Sequence, residues 1–361
     1  MFFISIFKLK INHSYRLHKH AAQLIFNIIK ILSVKITGSS KLMIIINILI
    51  LVICIHLWRR YLLLNETSIK NNESFNGDLY QVGHSVVAHI KNTGPRHKTI
   101  ICMHGWLADY RYFTQLYTAI DGELILINSC DYHPANKNIT PTKPTWEIEN
   151  PYKKHTIEHD AAVLIQAVKN LASTDQLLLH GHSRGGAVVL EAIKQDQELF
   201  KNATVILEAP VLPEAPLVKS NIYPKGFNDL ISYIIMYPFP FIVAWLSRFG
   251  LPNFALKSIY PMNERKKHLI LGLWNNHKYI KVLLDNYTNL NTWTLTNKVD
   301  LFDAIKKGYI LIGSKDDVLS RNLMLKVANR SKENITVIES ENSSHFITLD
   351  IPEQVKSLKF D

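Results

Sequence analysis

Cysteine is scarce: the 361 residues hold three, Cys54, Cys102 and Cys130. The number is odd and no C-x-x-C pair occurs, so there is no disulfide framework, and each reads as a small buried apolar residue. Acidic residues are missing from the first 65 positions, which carry nine of the 41 Lys and Arg residues (Lys8, Lys10, Arg16, Lys19, Lys30, Lys35, Lys41, Arg59 and Arg60). The other 296 residues hold the remaining 32 basic groups against all 30 acidic ones. The formal charge of +11 therefore belongs largely to the leader, and the body is close to neutral. The body has no basic stripe and no nucleic-acid motif, which excludes nucleic acid as the expected partner. There is no internal repeat. Charged residues are only 20% and apolar ones 47%, so a core can form and wholesale disorder is excluded.

The longest apolar run is residues 42–58 (LMIIINILILVICIHLW), bracketed by Lys41 and by Arg59 and Arg60. Seventeen residues at a rise of ~1.5 Å come close to spanning a bilayer core of ~30 Å. No small-x-small cleavage site follows, so the run does not read as a signal peptide. The reading is a single-pass membrane anchor, with residues 1–64 as a basic segment drawn to an anionic surface. The competing reading is a buried core helix. Basic residues stand on both flanks in nearly equal number, which leaves the orientation open. Residues 65–78 (NETSIKNNESFNGD) are polar and read as a linker into the body at 79–361.

The body alternates. A hairpin is expected within 79–92, and strands at 99–103, 123–128, 176–180, 204–208, 309–312 and 335–338. Helices are expected at about 109–120, 156–171, 184–194, 319–331 and 352–358. Short, nearly continuous apolar strands between helices predict a parallel sheet covered on both faces. The pattern breaks at about 211–298, which reads as a helical insertion over the sheet.

The sharpest motif is Gly181-His182-Ser183-Arg184-Gly185, between the strand QLLLH and an apolar helix. A serine on a strained strand-to-helix turn needs neighbours without bulk, and Gly181 and Gly185 supply them. The plainer alternative is a serine capping a helix. A serine hydroxyl is a weak nucleophile without a base, and the base needs an orienting acid. Asp316 or its neighbour Asp317 follows one late strand, and His345 follows the last; strand carboxyl ends are where parallel sheets meet ligands. Two N–H donors for a developing oxyanion would come from Arg184 and from Trp106, in the turn Met103-His104-Gly105-Trp106. His104 reads as shaping that turn.

HGW after one strand, GHSRGG after another, GSKDD after a later one and a late His345 together resemble the α/β-hydrolase superfamily, lipase and esterase branch, over about 79–361. The resemblance implies an α/β fold of the α/β-hydrolase type: a mostly parallel central sheet, helices on both faces and a helical cap insertion, preceded here by the membrane helix. It favours Asp316, three residues after the glycine. It implies acyl transfer through Ser183, His345 and Asp316, with no metal and no organic cofactor. Two positions depart from the family pattern: Ser344 where glycine usually precedes the histidine, and Ser320 where proline often follows the acid. The cap run 231–246 (ISYIIMYPFPFIVAWL), with Phe239 and Phe241, suggests an apolar lid and a hydrophobic small-molecule or lipid ester as substrate. The alternatives are an ordinary cap packed on the core, a peptidase, thioesterase or carbon–carbon hydrolase using the same triad, or a non-catalytic binding scaffold of this fold.

Overall fold

The computed structural model describes residues 41–64, 75–95, 97–132, 140–215, 265, 266, 269, 279–331 and 333–358. The chain forms two compact units, Met1–Tyr61 and Leu62–Asp361.

Helix α1, Lys41–Leu64, has 24 residues, and at ~1.5 Å per residue it is ~36 Å long. Ile46, Ile48 to Ile53 and Leu57 are all exposed along it. Side chains are described without a break only over 46–58. Among the described residues no helical stretch is long and apolar enough to cross a membrane.

The body is built on eight strands: β1 Asp78–Val82, β2 Ser85–Ile90, β3 Thr99–Met103, β4 Glu123–Asn128, β5 Leu177–His182, β6 Thr204–Glu208, β7 Lys307–Gly313 and β8 Ile335–Ser340. Their order in the single sheet is β1-β2-β4-β3-β5-β6-β7-β8. The β1–β2 and β2–β4 pairs are antiparallel and the rest parallel. The expected hairpin is thus present, as are all six expected strands after it. The parallel run requires burial on both faces. Ile101 and Met103 belong to one core with Ile125, Ile127, Leu179, Val205 and Ile310. Ile100 and Cys102 belong to the other with Leu124, Leu126, Leu178, Ile206 and Leu311. Alternate residues of one strand therefore enter opposite cores, which is why each strand reads as a continuous apolar run.

On the first face lie α2 (Ile157–Leu171), α3 (Arg184–Gln195), α4 (Ile280–Thr296) and α5 (Arg321–Ala328). Thr156 caps α2 by accepting from the His159 amide, and Glu158 and Asp160 sit in its first turn, where the helix dipole favours negative charge. Ser320, at the position where the family often has proline, caps α5 by accepting from the Leu323 amide. On the second face lie the segment 108–117 and, at the C-terminus, α6 (Ile347–Asp350) and α7 (Pro352–Lys356).

The helix expected over 109–120 is not there. A 3-10 turn, Tyr110–Tyr112, and further turns take its place. Asp109 binds the Arg111 amide and guanidinium, a local side-chain bond that competes with helix propagation. Of the expected cap, α4 and the helical residues Arg265, Lys266 and Leu269 are described. The run 231–246, with Phe239 and Phe241, lies outside the described residues, as does residues 1–40.

Candidate active site

Strand β3 is flanked by β4 on one side and β5 on the other. The chain reverses its direction of travel across the sheet there, the point at which sheets of this kind meet their ligands. The turns after β3, β5, β7 and β8 carry the four sequence segments singled out above.

Strand β5 runs through Gly181 and His182, two residues further than the pattern suggested, and α3 begins at Arg184. Ser183 is the single residue between them, with φ 53° and ψ −116°. That left-handed strain is held by the Ser183 amide bonding Glu208 O at 2.8 Å, while the Gly186 and Val211 amides bond Ser183 O at 3.0 Å. The glycines are steric requirements. A Cβ on Gly181 would stand 2.5 Å from Gly185 O, and one on Gly185 2.0 Å from Met103 O. Both contacts are with backbone that cannot step aside. Gly185→Ala is expected to pull β3 and the turn apart. Its effect should be a loss of several degrees in Tm and of at least about tenfold in any Ser183-dependent activity. A melting curve and a probe-labelling rate check this, and an unchanged Tm would contradict the packing described.

The structure brings Ser183, His345 and Asp316 together. The Ser183 hydroxyl donates to His345 Nε2 at 2.8 Å, and His345 Nδ1–H donates to Asp316 Oδ2 at 2.7 Å. All three are buried. The other carboxylate oxygen of Asp316 accepts from the Val318 and Leu319 amides at 2.9 and 3.0 Å. Burial works to raise this carboxyl. The His345 ring and the two amides outweigh it and leave Asp316 below the usual carboxylate range. Asp317 is exposed and is not among the groups bonded to His345. The two adjacent acids, between which only the family spacing favoured Asp316, thus differ in the direction they face.

Gly105 lies directly against the serine turn: a Cβ there would be 2.6 Å from His182 Nδ1 and 2.9 Å from Ser183 Cβ. Trp106 follows it, half-buried, with its indole Nε1–H donating to Leu283 O of α4 at 2.9 Å. Arg184, the first residue of α3, has its amide at a helix N-terminus, where no intrahelical acceptor exists. The expected oxyanion donors thus sit on the residue after the nucleophile and on the residue after Gly105, which abuts the serine turn. His104 is buried; its Nδ1–H donates to Gly105 O at 2.7 Å and its Nε2 accepts from the Ser129 amide at 3.1 Å. Burial pushes its pKa down to about 4, so the ring is neutral and shapes the turn.

Three polar groups that support the site carried no role in the sequence reading. The Arg184 side chain is fully buried and pairs with Asp160 Oδ2 at 2.7 Å and Ser129 Oγ at 3.0 Å. Glu208, the last residue of β6, accepts from Tyr112, His180 and both the amide and hydroxyl of Thr348, at 2.6 to 3.1 Å. Burial would raise the Glu208 carboxyl; the His180 bond leads those that overcome it and bring it to about 2. His182 stacks on Tyr112 with centroids 4.3 Å apart and donates from Nε2 to His345 O at 3.0 Å. Burial lowers its pKa to about 3. The signals were there: Asp160 interrupts the apolar stripe of a helix, and Glu208 ends a buried strand. Ser344 also gains a reason. Its hydroxyl bonds Asp350 Oδ2 at 2.6 Å and accepts from Lys266 at 3.1 Å, which ties the His345 loop down where the family usually has glycine.

No protein-family model matches the chain, and no curated protein matches its sequence. Solved structures do. An Acinetobacter baumannii AYE protein assigned as a lipase superposes with a TM-score of 0.54 at 14% identity, over 90% of this chain and 96% of that one. Est816, an N-acyl homoserine lactone degrading enzyme, gives 0.52 at 14% identity, over 78% and 98%. The esterase EaEST of Exiguobacterium antarcticum gives 0.50 at 18% identity, over 78% and 96%. At these identities the likeness concerns architecture, and it agrees with the strand order and the serine turn described above. The body of this protein has the α/β-hydrolase fold.

Proposed function

We propose that the chain is a serine hydrolase that cleaves a carboxylic ester, hydrophobic or lipid-like, through an acyl-enzyme. The observation that carries the reading is the unbroken line Asp316–His345–Ser183, with contacts of 2.7 and 2.8 Å, ending on a strained serine. His345 takes the serine proton as Ser183 attacks the acyl carbon. The amides of Arg184 and Trp106 receive the charge that develops on the carbonyl oxygen. His345 then passes the proton to the leaving alkoxide, and water, activated by the same ring, releases the acid. Asp316 stays ionised and holds the imidazole tautomer that presents Nε2 to the hydroxyl. An ester is the bond that lipase, esterase and lactone-cleaving neighbours of this fold act on, which supports this reading.

The exposed Ile, Leu and Val side chains of α1 support a membrane anchor, with the basic leader against an anionic surface. An anchor beside a hydrolase favours substrates that partition into the bilayer, and the apolar cap run 231–246 supports the same class. The test is a panel of p-nitrophenyl esters from acetyl to palmitoyl, beside a thioester and an anilide of matched chain. Each buried methylene contributes ~0.8 kcal/mol, so kcat/KM should rise by about three- to fourfold per added carbon until the pocket is filled. A flat profile, or faster turnover of the anilide, would overturn the substrate class.

A further inference from the structure

We propose that Cys130, Asp131 and His155 form a zinc-binding site, separate from the Ser183 triad, that braces the loop behind it. Cys130 and Asp131 follow β4, and His155 precedes α2. Their Sγ, carboxylate oxygen and ring nitrogen all lie within 4.8 Å of one another. His155 Nε2 is 2.9 Å from Asp131 Oδ2, and Cys130 Sγ is 3.8 Å from the same oxygen. Tetrahedral zinc, at ~2.3 Å from sulfur and ~2.0–2.2 Å from nitrogen and oxygen, sets such ligand atoms about 3.3–3.7 Å apart. The observed spacings bracket that range, so small side-chain shifts admit the ion. A soft thiolate, an imidazole and one carboxylate is a donor set that suits zinc over magnesium or calcium.

The surroundings match what a metal-bound imidazole needs. The other ring nitrogen of His155, Nδ1, faces Asp285 Oδ2 of α4 at 2.9 Å. A ligating histidine characteristically donates that second N–H to a carboxylate, which fixes its tautomer and aims the free lone pair at the metal. Asp131 is held in turn: its Oδ1 accepts from His84 Nδ1 at 2.7 Å, and His84 Nε2 accepts from Lys154 Nζ at 2.6 Å. His155 thus faces a carboxylate through each ring nitrogen, Asp285 at Nδ1 and Asp131 at Nε2. Zinc would take the Nε2 lone pair, and the Cys130 thiol gives up its proton on binding. Cys130 is buried, while Asp131 and His155 are partly exposed and open the way in.

The position gives the ion its use. The Cys130 amide bonds Asp160 Oδ1 at 3.1 Å, and Asp160 is the partner of Arg184 beside the nucleophile. Asp285 lies on the helix whose Leu283 carbonyl holds Trp106. One ion would thus tie the end of β4 to the loop before α2 and, through the His155–Asp285 bond, to α4.

Cobalt(II) titration of the chelator-treated full-length protein in detergent tests the site. One equivalent should bind with a sulfur-to-cobalt charge-transfer band and tetrahedral d–d bands, and zinc should displace it. Cys54→Ser should leave the band intact and Cys130→Ser should abolish it. Asp285→Asn should weaken affinity by about 10- to 100-fold. His155→Gln, on the surface loop, provides the same loss if Cys130→Ser fails to fold. A cooperative melting curve reports folding of each variant. A folded wild type with no sulfur-to-cobalt band, or a band that survives Cys130→Ser or His155→Gln, overturns the proposal.

Discussion

Ser183→Ala and His345→Ala are each expected to lower kcat/KM for a preferred ester by about 10⁴- to 10⁶-fold and to abolish labelling by a fluorophosphonate probe. The size follows from the geometry. Among the described residues the base that the hydroxyl meets is His345 Nε2 at 2.8 Å, and without a base it is not a nucleophile near neutral pH. The effects should not add: a double variant should match the worse single one, since the groups act as a unit. Asp316→Asn should cost about 10⁴-fold, because an amide at Oδ2 favours the tautomer with the proton on the wrong nitrogen. Asp317→Asn should change the rate by no more than a few-fold, as its side chain is exposed. Equal losses at 316 and 317 would sink the assignment of the acid. An unlabelled, folded wild type would favour a silent scaffold of this fold instead.

The largest stability effect is expected at Asp160. Its carboxylate is buried, pairs with Arg184 Nη1 at 2.7 Å and accepts from the Cys130 amide at 3.1 Å. Removing one member of a buried ion pair leaves the other charge without a counterion, at a cost of about 3–5 kcal/mol. Asp160→Ala should therefore lower Tm by roughly 6–20 °C, at about 2–4 °C per kcal/mol. Asp160→Leu combined with Arg184→Met should recover part of that loss, because no charge then remains buried. A single variant that melts within about 2 °C of wild type would show that the pair is not buried in solution.

The same polar layer sets the acid response. His104 and His182 have folded pKa values of about 4 and about 3, against an ordinary 6.5. The unfolded chain therefore binds protons that the folded chain refuses, so stability is full above about pH 6.5 and falls as pH drops toward 4 and 3. Glu208, at about 2 against an ordinary 4.5, adds a loss that begins below about 4.5. A Tm profile should be level above pH 6.5 and steepen through 5 and 4. A Tm that rose on acidification would contradict the neutral, buried state of both rings.

Much of this architecture could be read from local pattern. Strands such as TIICM, ELILIN and TVILE are buried on both faces, and only double burial produces an uninterrupted apolar run of that length. The serine turn was legible because its sterics forbid side chains at Gly181 and Gly185, a demand that leaves a mark in the sequence. The segment 109–120 misled, because aromatic spacing there mimics a helix while the Asp109–Arg111 bond closes a turn. The sequence by itself determined the strand–helix alternation, the strained serine and a short set of candidate partners. Those are local constraints, enforced within a few residues. Only the tertiary structure decided that Asp316 and not Asp317 faces His345. It also decided that Arg184 is half of a buried ion pair, and that Glu208 gathers three side chains beneath the site. Each of these depends on which way a side chain points after distant strands have met, and no periodicity along the chain encodes that direction.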